Sequence, residues 1–359
     1  MKYRKKVKSV LHSRDSSKYS TGFSDKLEPL ESLDLGRIKN FDDLLKGMSK
    51  TAFGGRELGH AADVLHEMIS DEDCYVVGTF SGAMTVAKMG LLICDMIDKG
   101  MLDCIVSTGA LMTHGFVESV GMRHFKHNPD MCDEVLYEKG YNRVYDTLEL
   151  EKNLDDIESI VQNVLNSINK NDVLCSQKIT YHLGKYLKEN ANGRAILKSA
   201  YEKKVPVYIP AFTDSELGLD LGINMRKQIS IGEKPVQFNP FLDLEHYTSE
   251  IKNAKTIGIF TIGGGVPRNW AQQVCPYLDI IDKRIGQGGG YKRFSYGVRI
   301  CPEPPNWGGL SGCTFSESVS WGKFVPEKDG GKFAEVLSDA TIAWPIILKA
   351  VMERMEKKR

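Results

Sequence analysis

The sequence lacks several features that would place it directly in a class of protein. Its 47 Lys and Arg residues balance its 47 Asp and Glu residues. A net charge of zero does not favour binding to nucleic acid or to an anionic membrane surface. No stretch reaches 18 uninterrupted apolar residues, so no membrane span is predicted. The basic N-terminus MKYRKKVKS is followed by no apolar segment, so we predict that it is not a secretory signal peptide.

The eight cysteines form no CxxC pair, which argues against a structural zinc site. Several lie in apolar runs such as LLICDMI and DCIVSTG, where a free Cys acts as a small core residue. We therefore predict reduced thiols and a cytoplasmic protein. His124 and His127, in the segment HFKH, have no Cys or acid at a supporting spacing. We expect them on the surface and predict no metal site.

Two regions differ in composition. Residues 1–27 are polar and rich in Ser and Lys, which predicts a mobile basic N-terminal arm. Residues 28–359 contain no convincing linker or repeat and are predicted to form a single domain.

Short β-branched runs alternate with helical periodicity in that domain. Strands are predicted in CYVVGTFSGAM, LDCIVSTGA, VPVYIPAFTDS, AKTIGIFTIGGGV and RFSYGVRICPEPP. Helices are predicted from Thr85 to Gly100, over 153–169 and 176–203, and at the C-terminus from SDAT onward. The alternation predicts an α/β fold: a Rossmann-like, doubly wound, mainly parallel sheet with helices on both faces.

The strand ends are rich in small and hydroxylated residues. They read GTFSGAMT, STGALMTHG, PAFTDSELG, IGGGVPRNW and ICPEPPNWGG. Ligands of such sheets bind beyond the carboxyl ends of the strands, where helix N-termini favour phosphate. The pattern suits a dinucleotide, although GxGxxG is absent after the first strand and GGGV alone also fits a tight turn.

Acids and aromatic residues are also found near these ends. The acids are Asp214, Glu216, Glu303 and Glu317, and the aromatics are Trp270, Trp307 and Trp321. Carboxylates pair with ammonium groups, while Trp faces attract cations and cover methylenes, so a pocket for an aliphatic cation is predicted. His114 follows the second strand. The residues alone fit either an acid/base or substrate-contact role or a hydrogen-bonded loop position.

One segment identifies a known family. SVSWGKF strongly resembles the active-site lysine segment of the deoxyhypusine synthases. IGGGV, PAFTDSELG and SDATIAWP resemble further family segments in the same order, from about residue 40 to residue 350.

The resemblance implies NAD-dependent transfer of a 4-aminobutyl group from spermidine through a lysine imine. It implies Lys323 as the imine-forming nucleophile, Trp321 as a wall that desolvates it, and Glu317 as a partner of an ammonium group. Implied NAD contacts are Ser81, Gly82, Thr85, Thr108, Gly109, Asp214, Gly264, Asp339 and Ala340. The family also implies a homotetramer with active sites between subunits.

The departures from the family pattern affect the polyamine side of the site. The family has a His after its glycine run, where this sequence has Asn269, and Asn cannot act as a base. His114 is the predicted substitute, because MTHG replaces an acidic pair of the family. Asn269 and Glu303 are predicted substrate contacts, while the family's acid-rich loop has Trp307 and Leu310 in place of acids.

Three functions stay open on the sequence. The first is transfer to an acceptor amine, which is either a lysine of a translation factor or a small amine such as putrescine, as in homospermidine synthases. The second is an NAD-dependent amine dehydrogenase, and the third is a non-catalytic polyamine or NAD sensor.

Overall fold

The computed structural model describes residues 13–357. The predicted arm lies partly outside this range. Within its described part, residues 13–27 are exposed except for half-buried Gly22 and form two short 3-10 turns, Ser16–Lys18 and Phe23–Asp25. The mobility of the arm stays a prediction.

Across the described residues the chain forms fourteen α-helices and eleven strands. The strands are β1 Cys74–Phe80, β2 Cys104–Ser107, β3 Phe125–Lys126, β4 Tyr141–Val144, β5 Thr147–Leu150, β6 Val173–Leu174, β7 Val207–Tyr208, β8 Gln237–Phe238, β9 Thr256–Ile262, β10 Tyr296–Ile300 and β11 Lys332–Val336. The helices are α1 Phe41–Ser49, α2 Phe53–Ser70, α3 Gly90–Asp98, α4 Gly109–Ser119, α5 Asp133–Glu138, α6 Glu151–Ser167, α7 Ser176–Asn190, α8 Ile196–Lys203, α9 Glu216–Ser230, α10 Phe241–Asn253, α11 Gly265–Gln272, α12 Val274–Ile285, α13 Phe315–Ser320 and α14 Ala340–Lys357.

The main sheet has six parallel strands in the order β11-β10-β9-β1-β2-β7. Along the chain, β2 and then β7 are added on one side of β1. The next strand of the sheet, β9, pairs with the other side of β1, and β10 and β11 follow beyond it. The strand order therefore reverses between β1 and β9, where Phe80 and Ile262 are in register. In a doubly wound sheet, the crevice at such a reversal is where ligands bind.

The core covers both faces of this sheet, which confirms the predicted architecture. Val76 and Phe80 of β1 pack in a cluster with Leu65 of α2 and Trp344 of α14. Val77 points to the other face, into a cluster built by α10, α11 and α12. Successive side chains of a strand point to opposite faces, so runs that are apolar throughout are buried on both sides.

Two predicted helix boundaries were wrong, and one strand of the main sheet was missed. The helix predicted to begin at Thr85 is α3, which begins at Gly90, because residues 84–88 form a turn and Lys88 adopts a left-handed φ of 63°. The predicted helix 176–203 is two helices, α7 and α8. The strand β11 was not predicted. Among the described residues, no helix is both long and apolar enough to cross a membrane.

Candidate active site

The segment around Lys323 has a backbone that fixes the direction of the lysine. The Thr314 side chain accepts a hydrogen bond from the Glu317 backbone N–H and caps α13. After this helix, Gly322 adopts a left-handed φ of 68°, which favours glycine. The Lys323 N–H then donates to the Ser318 carbonyl, and the Lys323 carbonyl accepts from the Phe294 N–H at 3.0 Å. The local turn therefore holds Lys323 at a fixed place.

Four of the predicted substrate-side residues share one cavity of about 280 Å³. Lys323, Asn269, Glu317 and Trp321 all line it. Glu317 is exposed and Trp321 is 65% exposed, whereas Lys323 is only 7% exposed. A cavity with one buried amine, one carboxylate and one indole suits a flexible aliphatic amine or polyamine.

Burial is the main influence on the Lys323 amine. It lowers the pKa of Lys323 and outweighs the opposing effects of Cys313, Cys275 and Glu317, while the Arg268 guanidinium lowers the pKa further. Nζ donates a hydrogen bond to the Asn269 side-chain oxygen at 3.0 Å. A lower pKa increases the fraction of neutral amine, which is the nucleophilic form.

Two residues near Lys323 were not singled out from the sequence. Cys313 lines the same cavity. Arg268 is 2% exposed, donates to the Cys313 carbonyl at 2.7 Å, and has two nitrogens without a hydrogen-bond partner, Nε and Nη2. A buried cation is costly, so a guanidinium buried beside Cys313, a residue of the Lys323 cavity, is unusual. No local sequence signal distinguishes this Arg from a surface one.

The other predicted pocket residues lie elsewhere. The Glu303 carboxylate packs against Gly309, a lining residue, but Glu303 is not itself among the residues that line the Lys323 cavity. Trp270 stacks on Tyr247 at 5.0 Å and belongs to the core on one face of the sheet. Trp307 is 73% exposed. Of the three tryptophans predicted for the cation pocket, Trp270, Trp307 and Trp321, only Trp321 lines the Lys323 cavity.

The predicted cofactor residues gather at the carboxyl ends of the strands. Ser81 follows β1 and its hydroxyl donates to the carbonyl of Gly264, which follows β9. The two residues thus lie on either side of the strand-order reversal. Thr108 caps α4, and its hydroxyl donates to the Gly82 carbonyl at 2.7 Å. Gly82 has a left-handed φ of 72°, and among the residues that the structure describes only Met84 lies within 4 Å of where its Cβ would be.

The remaining cofactor candidates differ in whether their side chains are exposed and able to contact a ligand. Thr85 is 1% exposed, and its hydroxyl donates to the Leu111 carbonyl, so it is used inside the protein. Asp214 and Asp339 are exposed. Asp339 accepts from the Thr341 backbone N–H at the start of α14, where Ala340 is the first residue. Gly109 begins α4 and packs directly against Ser215. Gly109 leaves the backbone N–H groups at the α4 N-terminus uncovered by a side chain of its own, and such N–H groups fit a dinucleotide phosphate.

His114 and His124 differ from expectation. His114 lies on α4 rather than in a loop, and its Nδ1 contacts the Glu149 carboxylate. The prediction that His124 is on the surface was wrong: its side chain is fully buried, with Nε2 3.4 Å from Glu149 Oε1. Glu149 itself is 1% exposed and was missed, because it lies between two leucines far from both histidines in sequence. His114 is not among the residues that line the Lys323 cavity.

Known proteins are similar to this chain in sequence, and a solved structure is similar to it in fold. The family model described as deoxyhypusine synthase matches residues 43–351. A "Probable deoxyhypusine synthase 2" from Methanosarcina acetivorans is 34% identical over 318 residues, covering 88% of each chain. A "Deoxyhypusine synthase-like protein" from Chlorobaculum parvum is 32% identical, covering 89% of this chain and 88% of the relative.

A solved structure agrees at the level of the fold. It is from Entamoeba histolytica and its description names deoxyhypusine synthase. The TM-score is 0.57 at 13% identity, covering 90% of this chain and 97% of the other. The match along the sequence and the shared fold together extend well beyond the SVSWGKF segment. The chain belongs to the deoxyhypusine synthase family.

Proposed function

We propose that the protein is an NAD-dependent aminobutyl transferase that moves a 4-aminobutyl group from spermidine or a related polyamine, through an imine on Lys323, to an acceptor amine. The single observation that carries this proposal is the state of Lys323. Its amine is buried in a cavity, has a lowered pKa, and contacts a neutral amide oxygen. A lysine with a structural or solvent-exposed role needs none of these features.

Lys323 performs the covalent step. Its neutral Nζ attacks the imine carbon of the oxidised polyamine, forms the bond to the four-carbon unit, and releases the three-carbon diamine whose C–N bond breaks. The acceptor amine then attacks the Lys323 imine in the same way and frees the lysine. Glu317 binds an ammonium end of the substrate and Trp321 covers its methylenes.

The residues at the β1 and β9 ends would hold NAD, which would supply a hydride acceptor and donor for this transfer. Ser81, Gly82 and Gly264 lie at the strand-order reversal, and the α4 N-terminus with Thr108 faces the same edge. Their small side chains allow backbone N–H groups to approach a pyrophosphate. Asp214, Asp339 and Ala340 are proposed as further contacts at this edge.

The acceptor has two candidates, a protein lysine and a small amine. Asn269 favours the small amine, because it stands next to Lys323 where the family has a His, and the acids of the family's loop are replaced by Trp307 and Leu310. The substrate side therefore differs from that of enzymes that modify a translation-factor lysine. An oligomer with sites completed between subunits is part of the proposal, since His114 does not line the Lys323 cavity of its own chain.

The proposal is tested by trapping the imine. The purified protein is incubated with NAD and spermidine, reduced with borohydride, and measured by intact mass and peptide mapping. A 4-aminobutyl adduct on Lys323 is expected. The absence of an adduct with every polyamine tried would contradict the proposal and leave the amine dehydrogenase or the sensor.

A further inference from the structure

A buried group of three side chains lies apart from the Lys323 cavity. Within residues 13–357, His114, His124 and Glu149 bring their side-chain N and O atoms within 4.8 Å of one another. They come from α4, the turn before β3, and β5. The His124 ring is fully buried and Glu149 is 1% exposed, whereas the His114 side chain keeps 12% of its surface.

The partners of each ring nitrogen determine where its hydrogen is. The Lys88 ammonium lies 2.8 Å from His124 Nδ1. An ammonium group only donates, so this nitrogen keeps its lone pair and the hydrogen is on Nε2, which faces Glu149. The contact between His114 Nδ1 and the Glu149 carboxylate likewise favours a hydrogen on Nδ1, because two lone pairs would repel each other.

One ring nitrogen is left over. Nδ1 of His114 and Nε2 of His124 are both buried against Glu149, and His124 Nδ1 is occupied by Lys88. His114 Nε2 is then the ring nitrogen of this group for which residues 13–357 provide no hydrogen-bond partner. A histidine whose Nδ1–H faces a carboxylate presents a basic Nε2.

The charges around His114 favour its protonated form and so raise its pKa. Burial lowers the pKa of His114, but contact with Glu149 and the negative charge of Glu216 on α9 outweigh it and raise the value above that of a free histidine. Burial alone would raise the pKa of Glu149, and the contacts with His114 and His124 instead lower it to about 2. Glu149 is therefore ionised at neutral pH and stabilises a protonated His114.

The same three side chains have the residue types of a metal site. A metal would need the lone pairs of His114 Nδ1 and His124 Nε2. The Lys88 contact places a hydrogen on His124 Nε2, and metal-bound histidines use their second nitrogen to donate to an acceptor, which an ammonium is not. The arrangement therefore favours a proton-holding group over a metal site.

We propose that Glu149, supported by His124 and Lys88, is a positioning residue that holds His114 with its hydrogen on Nδ1, so that Nε2 accepts the proton of a substrate amine bound at the Lys323 cavity of a neighbouring subunit. This inference rests on the proposed function. The substrate ammonium would lose a proton to Nε2 and become a neutral amine, and the carbon beside the nitrogen would then give a hydride to bound NAD, which leaves the protonated imine that Lys323 attacks. The reverse transfer of proton and hydride closes the cycle.

The test compares wild type with Glu149→Gln and Glu149→Asp. The reactivity of His114 toward diethylpyrocarbonate is followed against pH by peptide mapping, in the absence of amine and NAD. In Glu149→Gln the midpoint is expected about one pH unit lower, and kcat for amine oxidation about 10- to 100-fold lower with KM little changed. Glu149→Asp keeps the charge and is expected to lie between the two.

The outcomes separate the two proposals. His60 and His246 serve as internal references in the same digest, and the extent of their modification is expected to be the same in wild type and both variants. An unchanged His114 midpoint with unchanged kcat in Glu149→Gln would overturn the inference. So would one zinc, iron or cobalt ion per chain in the wild type that Glu149→Gln loses. A shifted midpoint in a protein that forms no Lys323 adduct would keep the positioning role and reject the aminobutyl transfer.

Discussion

Nζ of Lys323 lies 3.0 Å from the side-chain oxygen of Asn269, so the candidate nucleophile donates to a neutral group. An amide oxygen accepts from a neutral amine and from an ammonium ion alike, and it provides no charge that would hold the proton on the lysine. Burial is then free to lower the pKa of Lys323. A carboxylate in the same place would have the opposite effect.

Asn269→Asp tests this relationship. A carboxylate about 3 Å from Nζ favours the ammonium form, so the pKa of Lys323 should rise. We expect the pH midpoint of adduct formation to move up by about one unit, with a roughly 10-fold lower rate at pH 7. Gln273→Glu is the matched control, because Gln273 lines the same cavity but has no hydrogen bond to Nζ. Equal shifts in both variants would show that the Asn269 contact is not special.

Lys323→Arg tests the covalent step. Arg keeps a positive charge but cannot form the imine. We expect loss of both turnover and the borohydride-trapped adduct, while NAD affinity, measured by calorimetry, stays within about threefold because no candidate cofactor residue is changed. Lys328→Arg makes the same change on an exposed turn and should leave both properties intact. Wild-type turnover in Lys323→Arg would reject covalent catalysis.

The sequence predicts those parts of the fold that depend on local pattern. Five of the six main-sheet strands were recognised, because their β-branched runs end in small residues. β11 was missed, since KFAEV carries a Lys and a Glu, and Glu335 is tolerated through its ion pair with Arg299 at 2.7 Å. The residues 191–195, which separate α7 from α8, were not recognised as a break.

The candidate site likewise has residues that the sequence predicts and residues that only the fold brings together. Lys323, Trp321 and Glu317 lie within seven residues, so a short family segment predicts them together. The His114–His124–Glu149 group could not be predicted, because Glu149 is 25 residues from His124 and 35 from His114. Its buried charge is explained only by contacts that the fold creates. Asn269 and Lys323 are likewise joined only by the fold.

Asp220→Asn tests a buried acid on α9. Burial, with added repulsion from Glu158 and Glu216, raises the pKa of Asp220 to about 6. A raised folded-state pKa gives stability that is fully present below about pH 4 and is lost as the pH rises through about 6. The Asn variant should therefore be more stable by about 1–2 kcal/mol at pH 8, roughly 1–3 °C in Tm, and nearly equal to wild type at pH 4.

Thermal unfolding at the two pH values measures this effect. Asp155→Asn is the control, since it removes an exposed acid from α6 and should change Tm little at either pH. A Tm gain for Asp220→Asn that is the same at pH 4 and pH 8 would show that ionisation of Asp220 is not its cause.

Gly322→Ala tests whether the turn before the lysine sets its position. Gly322 has a φ of 68°, and an added Cβ would lie 3.2 Å from Arg293 Nη2. Both features are unfavourable for Ala, so we expect a loss of about 1–2 kcal/mol in the free energy of unfolding and slower adduct formation. Gly222→Ala is the matched control, because Gly222 lies inside α9 with open space at its Cβ. It should gain roughly 0.5–1 kcal/mol by reducing the entropy of the unfolded chain. Urea unfolding of both variants, with the rate of Lys323 trapping, decides the matter: a Gly322→Ala protein as stable and as reactive as wild type would mean that the left-handed turn does not position Lys323.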